Sequence, residues 1–302
     1  MEDSALISQR EFASIKTVYI LAIIFCVFAF IAPLQDVVIN QVTNNPGITW
    51  DMSLAILMTL GPAAFFLFCV LFAKGPRRKT LILIALWIYV LYQAVFFTLN
   101  TAQRLQFVSL MQMSPAEMNS LIQGMLIYSL IPLFIQTAIQ IIITVFFLQQ
   151  YKKGKTNRAT ANAAFILLGP LVFWFIYVCA RQLASQIPEA AFTVWLLFAA
   201  CLGMFGCLIF WKFRPLRGSH AWHIKTAFTL FIIVFMAVVF CYPQYPGMTA
   251  LQIWGSVVGL MRELLPLFFM YIAYKAIADS TFFKYFIESR PETARKKQCA
   301  NT

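Results

Sequence analysis

Residues 255–274 read GSVVGLMRELLPLFFMYIAY. Twenty residues of apolar chain span a bilayer core as a helix, yet this run holds the adjacent charges Arg262 and Glu263 well inside it. A charge at that depth costs roughly 2.5–3.5 kcal/mol on insertion scales, so such residues normally face protein or water. At helical spacing Gly255, Gly259, Arg262, Pro266, Phe269, Ala273 and Ala276 form one stripe. Small residues dominate it, and Gly255 with Gly259 makes a GxxxG pair that permits close helix approach in a membrane. The spacing therefore turns Arg262 towards neighbouring helices and makes this face the centre of a bundle.

Seven further apolar runs precede this one, at 17–34, 53–73, 81–99, 121–148, 164–180, 193–211 and 226–241. The whole chain is 61% hydrophobic and 11% charged, against about 25% charged for a soluble domain. Its net charge of +12 does not point to nucleic acid, because the basic residues sit in short clusters beside the apolar runs. They follow every second run: Lys74 to Lys79, Lys152 to Arg158, Lys212 to Lys225, and Lys275 onward. With Arg10 and Lys16 at the start, these clusters place 20 of the 23 basic residues on one side; only Arg104, Arg181 and Arg262 fall elsewhere. The positive-inside rule then puts both termini in the cytoplasm, and the clusters meet the anionic head groups of membrane lipids.

The expected fold is thus an all-α polytopic integral membrane protein, an eight-helix transmembrane bundle with N-in/C-in topology, in a bacterial inner (cytoplasmic) membrane. Residues 1–16 are read as a cytoplasmic segment and 17–278 as the transmembrane domain. Residues 279–302 are read as a short interfacial helix followed by a disordered basic tail. That helix is expected at 280–287, where Phe282, Phe283, Tyr285, Phe286 and Ile287 accompany Lys284. The acidic, mixed start (Glu2, Asp3, Arg10, Glu11) and the missing small-residue cleavage site argue against a cleaved signal peptide. No connection is long enough for a folded soluble domain.

The connections carry their own signals. Ser114-Pro115-Ala116-Glu117 is a capping box with Pro at the first helical position, which starts the fourth helix near Pro115. Thr249 to Gln252 is a second such box, ahead of the eighth helix. Residues 100–113 read either as the third helix running on or as an interfacial turn. Pro62, Pro132, Pro170 and Pro266 interrupt four runs, where each removes a backbone donor. Six of the seven cysteines lie in or beside apolar runs and the seventh, Cys299, in the tail, so no structural disulfide is expected. Trp50, Trp195 and Trp254 read as interfacial anchors, as does Arg181.

Depth can be counted from the basic boundary at about 1.5 Å per residue. Arg262 lies 13 residues from Lys275, Gln93 14 from Lys79 and Gln140 12 from Lys152. All three reach a similar level, about 20 Å from that boundary, with Gln136 one turn beyond Gln140. Tyr89, Gln93, Asn100 and Arg104 share a face of the third helix; Ser129, Pro132, Gln136 and Gln140, with Tyr128 at the edge, share one of the fourth. Together with Arg262 and Glu263 these faces form a candidate polar site, built of Arg262, Glu263, Gln93, Gln136, Gln140 and Tyr128, with Gly255, Gly259 and Pro266 as its packing residues. Adjacent residues on a helix diverge by about 100°, so Arg262 and Glu263 do not satisfy each other well. The same residues also suit a purely structural role, with glutamines bonding between helices and Arg262 paired across a subunit contact.

Several chemistries find no residues here. The two histidines, His220 and His223, stand in a basic loop without an acid beside them, and all four aspartates lie outside the runs. Metal and haem ligation and diphosphate-bound Mg²⁺ therefore lack donors, and no cofactor is expected. No GxSxG, Walker A, HExxH or CxxC motif occurs, so no catalytic residue is named and an enzyme is not expected. Two readings stand. One is a secondary carrier or exporter of a small anionic or amphipathic solute or lipid. The other is a non-catalytic sensor or scaffold subunit acting through a partner membrane protein or a second copy.

Overall fold

The computed structural model describes residues 9–42, 49–110, 115–154, 157–186, 191–213 and 250–289. They form α1 (Gln9–Val42), α2 (Thr49–Phe72), α3 (Arg77–Leu110), α4 (Pro115–Met125), α5 (Ile131–Lys153), α6 (Arg158–Gln186), α7 (Ala191–Phe213) and α8 (Ala250–Ala278). A short α9 (Ser280–Phe282) continues as a π turn, Phe283–Glu288. No strand occurs among the described residues. The expected run at 226–241, both histidines and the tail beyond residue 289 lie outside the described residues.

Local chemistry sets the boundaries. α4 begins at Pro115, where the capping box predicts it. α3 runs on to Leu110, so residues 100–110 continue the helix rather than turning at the interface. The fourth apolar run is not one α-helix. Pro132 has no N–H to give Tyr128 and its ring crowds that carbonyl. The backbone answers with a π turn at Leu126–Leu130, in which Ile131 N–H donates to the Leu126 carbonyl five residues back. Pro62, Pro170 and Pro266, by contrast, sit inside continuous helices. Gly154 ends α5 at φ 65, where its N–H bonds the Gln150 carbonyl, and Gly75 takes φ 69 between α2 and α3. Both need the left-handed conformation that glycine adopts without steric penalty.

Two compact units divide the chain: Met1–Leu167 with Met261–Thr302, and Leu168–Leu260. In the first, α1 packs on α2, α2 on α3 and α3 on α5. The α1 face in this packing is largely small (Ala22, Cys26, Ala29, Ala32) and the α2 face carries Ala63 and Ala64 against bulkier Phe66 and Leu67, all buried. Small residues let backbones approach closely where lipid supplies no hydrophobic drive between helices. The C-terminal half of α8 completes the unit through Phe268 on Phe25, 4.7 Å between ring centroids, and Phe269 on Phe66, 4.8 Å. In the second unit Tyr177 on α6 meets Trp195 (6.0 Å) and Phe198 (6.1 Å) on α7.

Large apolar side chains cover the outside of these helices, while a few polar ones join the otherwise apolar core. On α3 the exposed stripe is Ile84, Ile88, Leu91 (62% exposed), Val95 and Leu99, whereas the buried stripe holds Tyr89 and Gln93. On α5 Phe134, Ile135 and Ile142 face outward and Thr137, Gln140 and Thr144 face in. Apolar surface of this extent outside and polar groups inside suit hydrocarbon surroundings. Residues Glu11–Ala32 of α1, Arg77–Gln103 of α3 and Ile131–Lys153 of α5 are each long and apolar enough to cross a membrane, and shorter apolar stretches occur in α2, α6, α7 and α8. These are the helices of a membrane protein.

Candidate functional site

Polar side chains meet at two levels of the first unit. Midway along α3, Tyr89 is 2% exposed and donates its hydroxyl to Gln140 Oε1 on α5 across 3.4 Å. Gln93, one turn further on α3 and also buried, lies against the same hydroxyl. The Tyr89 ring stacks on Phe269 of α8 at 4.0 Å and 20°, and Phe269 in turn meets Phe66 of α2 edge-on at 4.8 Å. A long interhelical hydrogen bond of this kind contributes about 0.6 kcal/mol in a membrane. The aromatic pairs add about 0.5–1.5 kcal/mol each. Thr144 back-bonds to the Gln140 carbonyl at 2.7 Å, whereas Gln150 Nε2, further along α5, is buried without a hydrogen-bond partner.

The structure thus brings Gln93 and Gln140 together, through a tyrosine that the sequence analysis placed on the right face but left out of the site. Gln136 stands one turn away, half-buried. Tyr128 lies in the π turn beside Pro132; its side chain is outside the described residues. The same holds for the side chains of Arg262 and Glu263, whose backbone is helical within α8 and belongs to the first unit. Gly255 and Gly259 are helical too but fall in the second unit. The stripe on which Arg262 was placed can be followed along its described part. Phe269, Ala273 and Ala276 are fully buried and Pro266 half-buried, whereas Tyr271 is exposed. Leu265, Phe268, Met270, Ile272 and Ile277, off that stripe, are buried as well, so this part of α8 is packed over most of its circumference.

The second level lies at the basic end. Arg78, counted in the sequence analysis among the flanking charges, is 5% exposed, while Arg77 and Lys79 beside it are exposed. Its Nε donates to the Ile287 carbonyl at 2.9 Å, and its two terminal nitrogens donate to the carbonyls of Phe286 (3.2 Å) and Ala73 (2.7 Å). Each acceptor is at or just past a helix C-terminus, where carbonyls have no intrahelical donor and a cation is favoured. One guanidinium therefore caps α2 and the terminal π turn together. Hydrogen bonds to a charged group contribute about 1.5–3 kcal/mol each, which offsets the desolvation of a buried arginine. Helical phase carried the signal: Arg78, Ile82, Ala85, Tyr89 and Gln93 form a single stripe, the buried one of α3.

This capping corrects the expectation for the terminal helix. It forms where predicted, but Phe282, Phe283, Tyr285, Phe286 and Ile287 are buried in protein rather than laid on a lipid interface. Tyr19 of α1 meets Phe286 edge-on at 6.3 Å, and Tyr151 of α5 meets Phe283 at 5.6 Å. Hydrophobic side chains take whichever apolar surface also satisfies their backbone, and Arg78 supplies that satisfaction here. Lys79 lies 6.0 Å from the Tyr151 ring and Lys152 6.0 Å from Trp87, which leaves the exposed cations around this end.

Among the described residues no group of His, Cys, Asp or Glu is placed to hold a metal ion. The mid-helix cluster offers amide and phenol hydrogen bonds beside an aromatic face. Compared with protein-family models, curated proteins and solved structures, the chain matches none.

Proposed function

We propose that the chain is a secondary carrier or exporter of a small anionic or amphipathic solute or lipid, working as an eight-span, N-in/C-in bundle in a bacterial inner membrane. The observation that carries this reading is the stacking of Phe269 of α8 on Tyr89, with Ala273 and Ala276 of the same stripe buried, in the unit that also buries Gln93 and Gln140. Arg262 shares that stripe by spacing and stands two turns from Phe269. Arg262 draws the anionic group, the glutamines and Tyr128 bind its polar remainder, and Glu263 exchanges the coupled proton. Binding sites beside prolines in membrane helices are common in transporters.

Proteoliposomes that carry the purified protein and an internal pH-sensitive dye test this. A panel of small carboxylates and phosphate esters is added outside and proton movement followed. At least one class moves protons with the wild type, and the flux is lost in Glu263→Gln and Arg262→Ala proteins that still fold. Silence of the wild type across the panel overturns the carrier reading.

One observation favours the second reading, a scaffold or sensor subunit: the Tyr89 hydroxyl spends its hydrogen bond on Gln140 within the protein. On that reading Arg262 pairs across a contact with a partner subunit, and the Arg262→Ala protein loses a co-purifying membrane protein while no flux exists to lose.

A further inference from the structure

Residues 279–288 join three features that neither proposed function uses. The first is a joint. Asp279 leaves the helical region (φ −128, ψ 109) between α8 and α9, and its Oδ1 accepts from the N–H groups of Thr281 and Phe282, both at 3.0 Å. Its other oxygen meets Lys275 of α8 at 3.3 Å. The short helix beyond is therefore capped on its own and tied to α8 by one extended residue.

The second is a seat. Phe282, Phe283, Phe286 and Ile287 are buried among Tyr19 of α1, Tyr151 of α5 and Arg78 of α3. The third is a long-range polar tie. Arg78 reaches the Phe286 and Ile287 carbonyls from more than 200 residues away in the chain. The π turn itself closes locally, through Ser289 N–H and Oγ on the Lys284 carbonyl at 2.9 and 2.7 Å.

We propose that residues 280–288 are a releasable strap, hinged at Asp279 and latched by Arg78, that holds α8 in its seat against Tyr89. A segment with its own cap, its own last-turn bonds and a long-range polar anchor opens as a unit rather than fraying. Docked, it fixes the end of the helix whose middle packs on the polar cluster. Released, it leaves α8 held in this unit by the rings of Phe268, Phe269 and Tyr274, which meet Phe25, Phe66, Tyr89 and Phe165. The strap stands whether the bundle carries a solute or serves a partner.

Amide hydrogen exchange on the full chain in phosphatidylcholine nanodiscs, resolved by peptide, tests it without reference to transport. In the wild type, the strap amides exchange at one common rate, at least tenfold faster than the buried middle of α5 around Gln140. In Arg78→Gln the strap rate rises a further tenfold or more and the 264–278 part of α8 speeds with it, while α5 holds its wild-type rate. Arg78→Lys, which keeps the charge without the guanidinium fork, falls between. Three results overturn the proposal: a wild-type strap as slow as the α5 core, a strap indifferent to Arg78→Gln, or a strap that loosens while α8 does not. Equal loosening of α3, α5 and α8 in Arg78→Gln also overturns it, since Arg78 then holds the fold as a whole. The wild-type measurement decides the first point even if the variant does not fold.

Discussion

Gln140 and Tyr89 meet across 3.4 Å on opposing helices, with Gln93 buried one turn along α3, and the value of the bond is measurable as a coupling. Removing one partner leaves a buried polar group with fewer bonds, whereas removing both replaces them with apolar shape. A double-mutant cycle of Tyr89→Phe and Gln140→Leu, read from unfolding in detergent, is expected to give a coupling of about 0.5–1.5 kcal/mol. A coupling near zero says that the two side chains are neighbours without a bond. This juxtaposition was half legible beforehand. Counting residues from the basic boundary put Gln93 and Gln140 at one depth, because rise per residue is a property of the helix itself. That α3 and α5 touch was not legible, because depth carries no azimuth.

At the scale of elements, Asp279 separates two contributions cleanly. Its side chain caps the terminal helix and also pairs with Lys275, both partly exposed. Asp279→Ala loses the cap and is expected to destabilise the 280–288 segment by about 1 kcal/mol. Asp279→Asn keeps a capping oxygen and gives up only the ion pair, worth about 0.3–0.5 kcal/mol at such exposure. Peptide-resolved exchange of 281–288 measures both, and equal losses in the two variants refute the capping role. Boundaries of this kind were readable where one residue type dictates the backbone, as at Pro115. The break before Pro132 was readable as a missing donor, but not as a π turn. That choice depends on which alternative closure the surrounding packing accepts.

For the whole molecule, the charge distribution yields a prediction that neither unit decides alone. Reporter fusions after residues 153, 217 and 302 are expected in the cytoplasm, and fusions after 114, 188 and 246 on the opposite side. An opposite location for the fusions at 153 and 302 rejects the eight-span, N-in/C-in order. The described residues already separate the two solvents of the fold. Leu91, Val95 and Leu99 look outward while Tyr89 and Gln93 look inward, and no aqueous protein of this length gains by that arrangement.

By itself the sequence determined that the chain is helical and that it belongs in a membrane, because both follow from hydrophobicity and the helical repeat alone. The tertiary structure decided which polar groups share a partner and where the terminal aromatics go. Both depend on backbone carbonyls left over at helix ends and on side chains that reach them from distant segments, as Arg78 does. Composition cannot report a leftover carbonyl, since every residue carries one and only the assembled fold determines which lack a donor.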